Sequence, residues 1–366
     1  AMRYAVLLSG GVDSSTALRE LARDDANEVQ AYYLKVWLED ELDYLGECPW
    51  EEDLHYAREV CREAGVPLTV VPLQREYYDR VVSYALEELR AGRTPSPDLF
   101  CNERIKFGAF LDYLTAPQSP GPRASSARAA GDEVRIATGH YARLEEAGGH
   151  VRLLRSPDPV KDQTYFLAHL HQQQLRRIDF PIGSMTKEEV RRRANEYRLP
   201  NRDRPDSQGI CFLGKVRYPE FIRHYLGESE GVIVEHETGK ELGSHRGFWF
   251  YTIGQRQGLG LSGGPWYVVG KDTETNTIRV SHAESAGMQA RDSFEVHELS
   301  WTWRPPEDGR YLLKIRHGPA LTRATLTWVD SDRIRVAMNT PDRGVAPGQF
   351  AVLYDGEVCL GCGKIA

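Results

Sequence analysis

The sequence predicts an α/β protein: a doubly wound parallel sheet in its first half, then a small central domain, then a closing β-barrel. Three observations carry this. Short apolar runs alternate with amphipathic helical stretches from Arg3 to Ala91; a glycine-rich turn, "LLSGGVDSS" (Leu7 to Ser15), joins the first run to the first helix; and beyond Gly231 the chain is strand-rich. A length of 366 residues independently favours two or three units, each able to bury a core.

The elements follow in order. "RYAVLLS" predicts a strand, Ser14 to Arg23 a helix, "VQAYYLKVW" a strand, Trp50 to Ala64 an amphipathic helix, "PLTVVPL" a strand and Glu76 to Ala91 a further helix. Residues 116–133, "APQSPGPRASSARAAGDE", have no apolar period and predict a disordered insertion ahead of the strand "VRIATGHYA". A basic stretch of helical period runs from Thr186 to Tyr197. Later, "RYLLKIR", "TRATLTWV", "RIRVAMN" and "GQFAVLYDGEVCLG" alternate apolar and polar residues, which predicts a small β-barrel. The expected divisions are 1–212, 213–282 and 283–366.

Composition narrows the function classes. No run of eighteen apolar residues occurs, and the chain enters its first strand without a charged or Arg-rich leader, so the expectation is a cytoplasmic protein with no membrane partner. Ala1 ahead of Met2 leaves open an organellar product whose targeting segment has been removed. Six cysteines are too few for a disulfide-built fold. The net charge of −7 argues against a uniformly basic nucleic-acid surface, yet nine Lys/Arg against five Asp/Glu lie between Arg176 and Arg204. That cluster reads either as a phosphate tracker or as a solvated helix face.

The opening turn is suited to an anion. Backbone N–H groups and a helix N-terminus converge there, and Ser9, Ser14 and Ser15 add hydroxyl donors. A Walker A loop needs a Lys before its Ser/Thr, and a dinucleotide loop needs a third glycine; both are missing. The loop S-G-G-x-D-S resembles that of the ATP pyrophosphatases, which cleave ATP between the α- and β-phosphates.

Further blocks follow in order: "TPSPDLFCNERIKF" (Thr94 to Phe107), "ATGHYAR", "KDQTYFL", "DSQGICFLG", "TIGQRQGLG", "PWYVVGKD" and "PGQFAVLYDGEVCLG". Together they resemble the tRNA-specific 2-thiouridylases, and the matches cover nearly the whole chain. The resemblance implies an ATP-pyrophosphatase domain that uses ATP with Mg²⁺ to adenylate O2 of the wobble uridine in the anticodon stem-loop. A persulfide then delivers sulfur, and AMP and pyrophosphate are released. It implies a persulfide-donating partner protein and a chain acting as a monomer.

Carried over motif by motif, the resemblance makes Asp98 the general acid/base, Cys211 the persulfide carrier and Cys101 the partner nucleophile, with a transient Cys101–Cys211 disulfide. It puts Leu8, Ser9, Gly10, Gly11, Val12, Asp13, Ser14 and Ser15 against ATP, with Leu34 and Gly139 near the adenine. Asp13 would help organise Mg²⁺ on the departing pyrophosphate, and no protein metal site is assigned. For tRNA it implies Ser96, Pro97 and Asp98 at the target base, His140, Lys161, Asp162 and Gln163 nearby, and Arg316, His317 and Gln349 on the barrel.

Three departures from the family pattern stand out: Ser96 in place of Asn, Gln208 before "GICF", and the insertion at 116–133. Cys359 and Cys362 form a C-x-x-C with no second ligand pair, so a structural role is expected, and Cys61 reads as core. Two rivals remain, an ATP-pyrophosphatase ligase for a small molecule and a non-catalytic tRNA-binding protein. The second would be expected to lack Asp98, Cys101 or Cys211, and all three are present.

Overall fold

The computed structural model describes residues 2–36, 50–116, 133–207, 218–282, 291–342 and 344–366. The predicted insertion and Cys211 therefore lie outside the described residues, the insertion save for its two end residues.

The first unit is built on β1 (Arg3–Leu7), β2 (Glu28–Lys35), β3 (Leu68–Pro72) and β4 (Val134–Ala137). After β4 the chain makes a hairpin, β5 (Ala142–Ala147) and β6 (His150–Arg155), then returns to the sheet as β7 (Ile178–Asp179). The sheet order is β3-β2-β1-β4-β7, and each neighbouring pair is parallel. Alternation along β1 explains the double winding: Ala5 and Leu7 pack into one core, while Val6 and Leu8 pack into the other. The second core is covered by the helices Val12–Ala22, Trp50–Ala64 and Lys187–Glu196. In Trp50–Ala64 the buried residues are Leu54, Ala57, Val60 and Cys61, the spacing of one helical stripe. Thr186 caps Lys187–Glu196 by accepting from Glu189 N, and the Glu189 carboxylate in turn accepts from Thr186 N.

The helix expected from Glu76 to Ala91 is not uniform. It runs as Gln74–Tyr77, a π-helical turn Tyr78–Val82, and Ser83–Arg90. A second π-helical segment, Cys101–Ala109, follows the short helix Pro97–Phe100. The two widened segments brace each other, with Arg80 donating to Arg104 O at 3.3 Å and Arg104 donating to Arg80 O at 2.8 Å. Apolar periodicity does not register such a turn, because the inserted residue shifts the stripe only locally.

The central unit opens with the helix Tyr218–Leu226 and continues as β8 (Gly231–Glu235), β9 (Glu241–His245), β10 (Trp266–Asp272) and β11 (Thr277–His282), ordered β10-β11-β8-β9. Its core is Ile233, Phe248, Trp266, Val268, Ile278 and Val280 with Leu259. The last unit is β12 (Arg291–Trp301), β13 (Gly309–Lys314), β14 (Thr322–Trp328), β15 (Ile334–Asp342), β16 (Phe350–Asp355) and β17 (Val358–Ile365). These six pair antiparallel, and β12 with β17 closes the barrel that the alternating pattern predicts.

The barrel is welded to the first unit. β6 pairs with β17, so the hairpin extends the barrel's sheet. On β16, Ala351 and Leu353 fill the barrel, whereas Phe350, Val352 and Tyr354 point into the first unit's core. Cys359 and Cys362 lie in that same seam, fully buried, and burial raises both thiols far above their usual range. They are packing residues, as expected. Among the described residues two buried ion pairs cross the seam, Lys314 with Asp162 at 3.2 Å and Lys364 with Glu88 at 2.8 Å, and a more exposed one joins Arg143 to Glu357 at 3.1 Å. Paired charges cost little there only because each finds its partner, so they specify one docking geometry.

Candidate active site

The glycine-rich turn leaves β1 at the carboxyl edge of the sheet, where open α/β sheets bind ligands. Gly10 has φ +82°, and a Cβ on it would lie 2.3 Å from Asp53 O. Gly139 approaches the helix start so closely that a Cβ would meet Ser14 N at 2.5 Å. Both positions require glycine. Gly11 precedes the helix Val12–Ala22 and offers its first turn no side-chain cap, so the N–H groups there remain available to an anion. The loop is shaped from beneath by Ser14, which accepts from Ser9 N at 3.1 Å, and by Ser15, which donates to Gly11 O at 2.7 Å. Asn201 and Arg204 donate to Gly10 O at 2.8 and 3.0 Å. Leu34 stands near the end of the adjacent strand β2.

A chain of charges extends from this loop. Asp13 Oδ1 accepts from Tyr141 OH and from Lys187 Nζ, both at 2.7 Å. Lys187 also donates to Asp206 Oδ1 at 2.5 Å, and Lys161 donates to Asp206 Oδ2 at 2.7 Å. Burial alone would raise the Asp206 carboxyl, but the bonds from the two lysines outweigh it and lower its pKa. Lys187 is buried at the start of the basic helix. The loop fits the phosphates of a nucleotide. A protein-held Mg²⁺ fits less well: one Asp13 oxygen and both Asp206 oxygens are taken, and no metal-holding group of three His, Cys, Asp or Glu exists among the described residues.

A second centre is a cavity of about 450 Å³ where the three units meet. The first unit supplies Ser96, Pro97 and Asp98, the barrel supplies Arg316, His317 and Gln349, and an aromatic wall comes from Trp249, Phe250 and Tyr251. Burial raises the Asp98 carboxyl, and Lys106 partly opposes that shift. Cys101 lies one turn further along, buried. Asn102 donates to Phe166 O at 2.8 Å, and the His317 ring stacks on Phe166 with centroids 4.6 Å apart. Arg316 holds Asp342 by two bonds, at 3.0 and 2.6 Å. The Gln349 Oε1 atom is buried with no hydrogen-bond partner, so an acceptor awaits a donor beside the cavity.

The structure thus gathers six of the expected tRNA residues around one cavity, and the other four lie outside its lining, Lys161 and Asp162 close enough to act on His317. His140 is buried, its Nδ1 2.6 Å from Thr138 Oγ1, and burial together with Lys106 drives its pKa well down. A neutral imidazole is the result. Lys161 belongs to the charge chain at the loop. Gln163 Oε1 accepts from Tyr141 N at 2.9 Å. Asp162 is fully buried and committed to Ser156 N, Thr164 Oγ1 and Lys314, so its carboxylate works inside the fold.

The basic cluster also divides. Lys187 and Arg204 build the loop, and Arg193 pairs with Glu20 and Glu196, leaving Arg176, Arg191, Arg192, Arg198 and Arg202 exposed. Tyr141, Lys106 and Asp206 lie inside the blocks "ATGHYAR", "TPSPDLFCNERIKF" and "DSQGICFLG" without a site role assigned to them, and Lys187 and the aromatic wall lie in none of the quoted blocks.

Residues 2–215 match the family described as tRNA methyl transferase HUP domain, 219–282 the tRNA methyl transferase PRC-barrel domain, and 291–365 the aminomethyltransferase beta-barrel domain. The chain is 43% identical over 371 residues to a protein of Bacteroides fragilis named tRNA-specific 2-thiouridylase MnmA 2, covering 100% of both. It is 42% identical over 375 residues to tRNA-specific 2-thiouridylase MnmA of Porphyromonas gingivalis, covering 100% of this chain and 99% of that protein. The MnmA of Parabacteroides distasonis is 41% identical over 371 residues, again with 100% of this chain and 99% of the relative covered.

Proposed function

The chain belongs to the tRNA-specific 2-thiouridylase family, and from that premise we propose that it activates O2 of the wobble uridine in tRNA with ATP and exchanges it for sulfur. Uracil O2 leaves poorly as oxide or hydroxide. Attack by O2 on the α-phosphorus breaks the bond to the β-phosphate, releases pyrophosphate and turns O2 into part of an AMP leaving group. As O2 attacks, the N3 proton passes to the Asp98 carboxylate, and it returns once the thiocarbonyl has formed.

Sulfur arrives as the outer atom of a persulfide on Cys211. The Cys101 thiolate attacks the Cys211 sulfur, the two cysteines form a disulfide, and the outer sulfur departs with the bonding pair as sulfide. Sulfide adds at C2, the C2–O2 bond breaks, and AMP leaves. A thiol reductant then resets the disulfide. The glycine loop from Leu8 to Ser15 receives the ATP phosphates, accompanied by Mg²⁺, while Leu34 and Gly139 border the adenine.

One observation carries the reading. Asp98, with its pKa raised by burial, borders a cavity whose other walls are aromatic rings and barrel residues, suited to a base turned out of its stack. Division of labour follows: residues 1–212 bind ATP and do the chemistry, 213–282 close the cavity, and 283–366 hold the tRNA. We infer a persulfide-carrying donor protein, a monomer, since one chain supplies every wall, and a bacterial-type cytoplasmic setting from the relatives.

The test is a reaction of the full chain with tRNA, ATP and a persulfide donor, with nucleosides and nucleotides followed by mass spectrometry. AMP and pyrophosphate are expected in step with 2-thiouridine; ADP and phosphate would overturn the proposal. Cys211→Ser should bind tRNA without thiolating it, and thiolation at the wild-type rate would remove the persulfide from Cys211.

A further inference from the structure

A second cavity, of about 260 Å³, lies where β10, the barrel and the turn after the helix Ser83–Arg90 come together. Its walls include Lys271 on β10, Arg279 on β11 and Arg291 at the start of β12, and no carboxylate lines it among the described residues. That is unusual for a chain of net charge −7. The Lys271 Nζ atom has no ion pair or hydrogen bond among the described residues, and burial lowers its pKa to about 8 with no acid opposing. The Arg279 Nε is buried without a partner. Asp272 lies outside the cavity wall and feels Arg279 only as the smallest of the influences that lower its pKa, and its Oδ1 accepts from the N–H groups of Glu274 and Thr275.

The arrangement is built in. A Cβ on Gly270 would lie 2.4 Å from Arg279 Nη2, so glycine is what lets the guanidinium lie against the strand. Three cations on one cavity wall, with no carboxylate among its described lining residues, repel one another at a cost to the free protein. A fold retains such a cost where a ligand repays it.

The ligand follows from position. Residues one or two apart in sequence line both cavities: Gly92 here and Arg93 in the Asp98 cavity, Gly254 here and Gln255 there, Pro347 here and Gln349 there. A polynucleotide with its target base beside Asp98 would present its backbone across that shared wall. We propose that Lys271, Arg279 and Arg291 form a phosphodiester site that grips the RNA backbone beside the target uridine. This rests on the proposed tRNA substrate.

Binding of the full chain to tRNA is measured across a potassium chloride series, for wild type and for Lys271→Met, Lys271→Arg and Gly270→Ala. Loss of one phosphate contact should flatten the log–log salt slope by about 0.7–0.9 and weaken binding about tenfold at low salt. Lys271→Met should show this with unchanged ATP affinity and a melting temperature equal to or above wild type, since it removes an unpaired buried charge. Lys271→Arg should restore the slope, and Gly270→Ala should resemble Lys271→Met by displacing Arg279. A wild-type slope and affinity in Lys271→Met would overturn the site. So would binding of inorganic phosphate alone that Lys271→Met abolishes while the tRNA slope stays unchanged, which would mark a free-anion site. If wild type itself bound no tRNA, the proposed function would fail first, and the salt series distinguishes the two.

Discussion

Lys187→Met is the most informative perturbation of the nucleotide loop. The Lys187 side chain is 10% exposed and lies 2.7 Å from Asp13 and 2.5 Å from Asp206, whose side chains are 29% and 23% exposed. Removing one member of a fully buried pair costs about 3–5 kcal/mol. Here both acids retain some water, Asp206 keeps Lys161 at 2.7 Å and Asp13 keeps the Tyr141 hydroxyl, so a loss of about 2–3 kcal/mol is expected. Urea unfolding at pH 7 reads it as a lower midpoint with an unchanged slope.

The pH dependence supplies a sign. The Asp206 pKa is lowered in the folded state, so its contribution is present above the unfolded value of about 4 and is lost as pH falls through the folded value. The stability gap between wild type and Lys187→Met should therefore narrow below about pH 4. Equal stability at pH 7 together with wild-type ATP affinity would refute both the coupling and the role of Lys187 in shaping the loop.

Asp98→Asn should leave tRNA and ATP binding near wild type and lower single-turnover thiolation by about 10²–10⁴-fold, the range for loss of a general base; an unchanged rate removes Asp98 from the chemistry. Gly139→Ala drives a methyl group against Ser14 N, so ATP affinity measured by calorimetry should fall while tRNA affinity holds, and undiminished ATP affinity would contradict the close approach. Lys314→Met should destabilise the seam by about 3–5 kcal/mol in chemical denaturation, and adding Asp162→Asn should recover much of that; strictly additive losses would show that the pair is not coupled.

Local signals carried much of the candidate site. Gly10, Gly11 and Ser14 follow one strand within a few residues, and Asp98 and Cys101 share one helical turn, so spacing alone set them side by side. Lys187 had no such signal. It is 174 residues from Asp13, and in sequence it is simply the first cation of a basic helix. Trp249, Phe250 and Tyr251 carried no signal of a site, because an aromatic run looks the same whether it faces a neighbouring strand or a substrate cavity. For Asp162 the resemblance implies a place near the RNA, and the fold ties its carboxylate to Lys314 while its backbone reaches His317 at the cavity.

What the sequence determined by itself was the alternation of strands and helices, the anion-holding turn, the barrel pattern and the family. All of these depend on neighbours within one or two elements, where periodicity and turn chemistry act directly. Only the tertiary structure decided that a hairpin of the first unit extends the barrel, that three units share the Asp98 cavity, and that lysines hold Asp13 and Asp206 together. Those depend on contacts between distant segments, and a one-dimensional pattern holds no record of which buried charge will meet which.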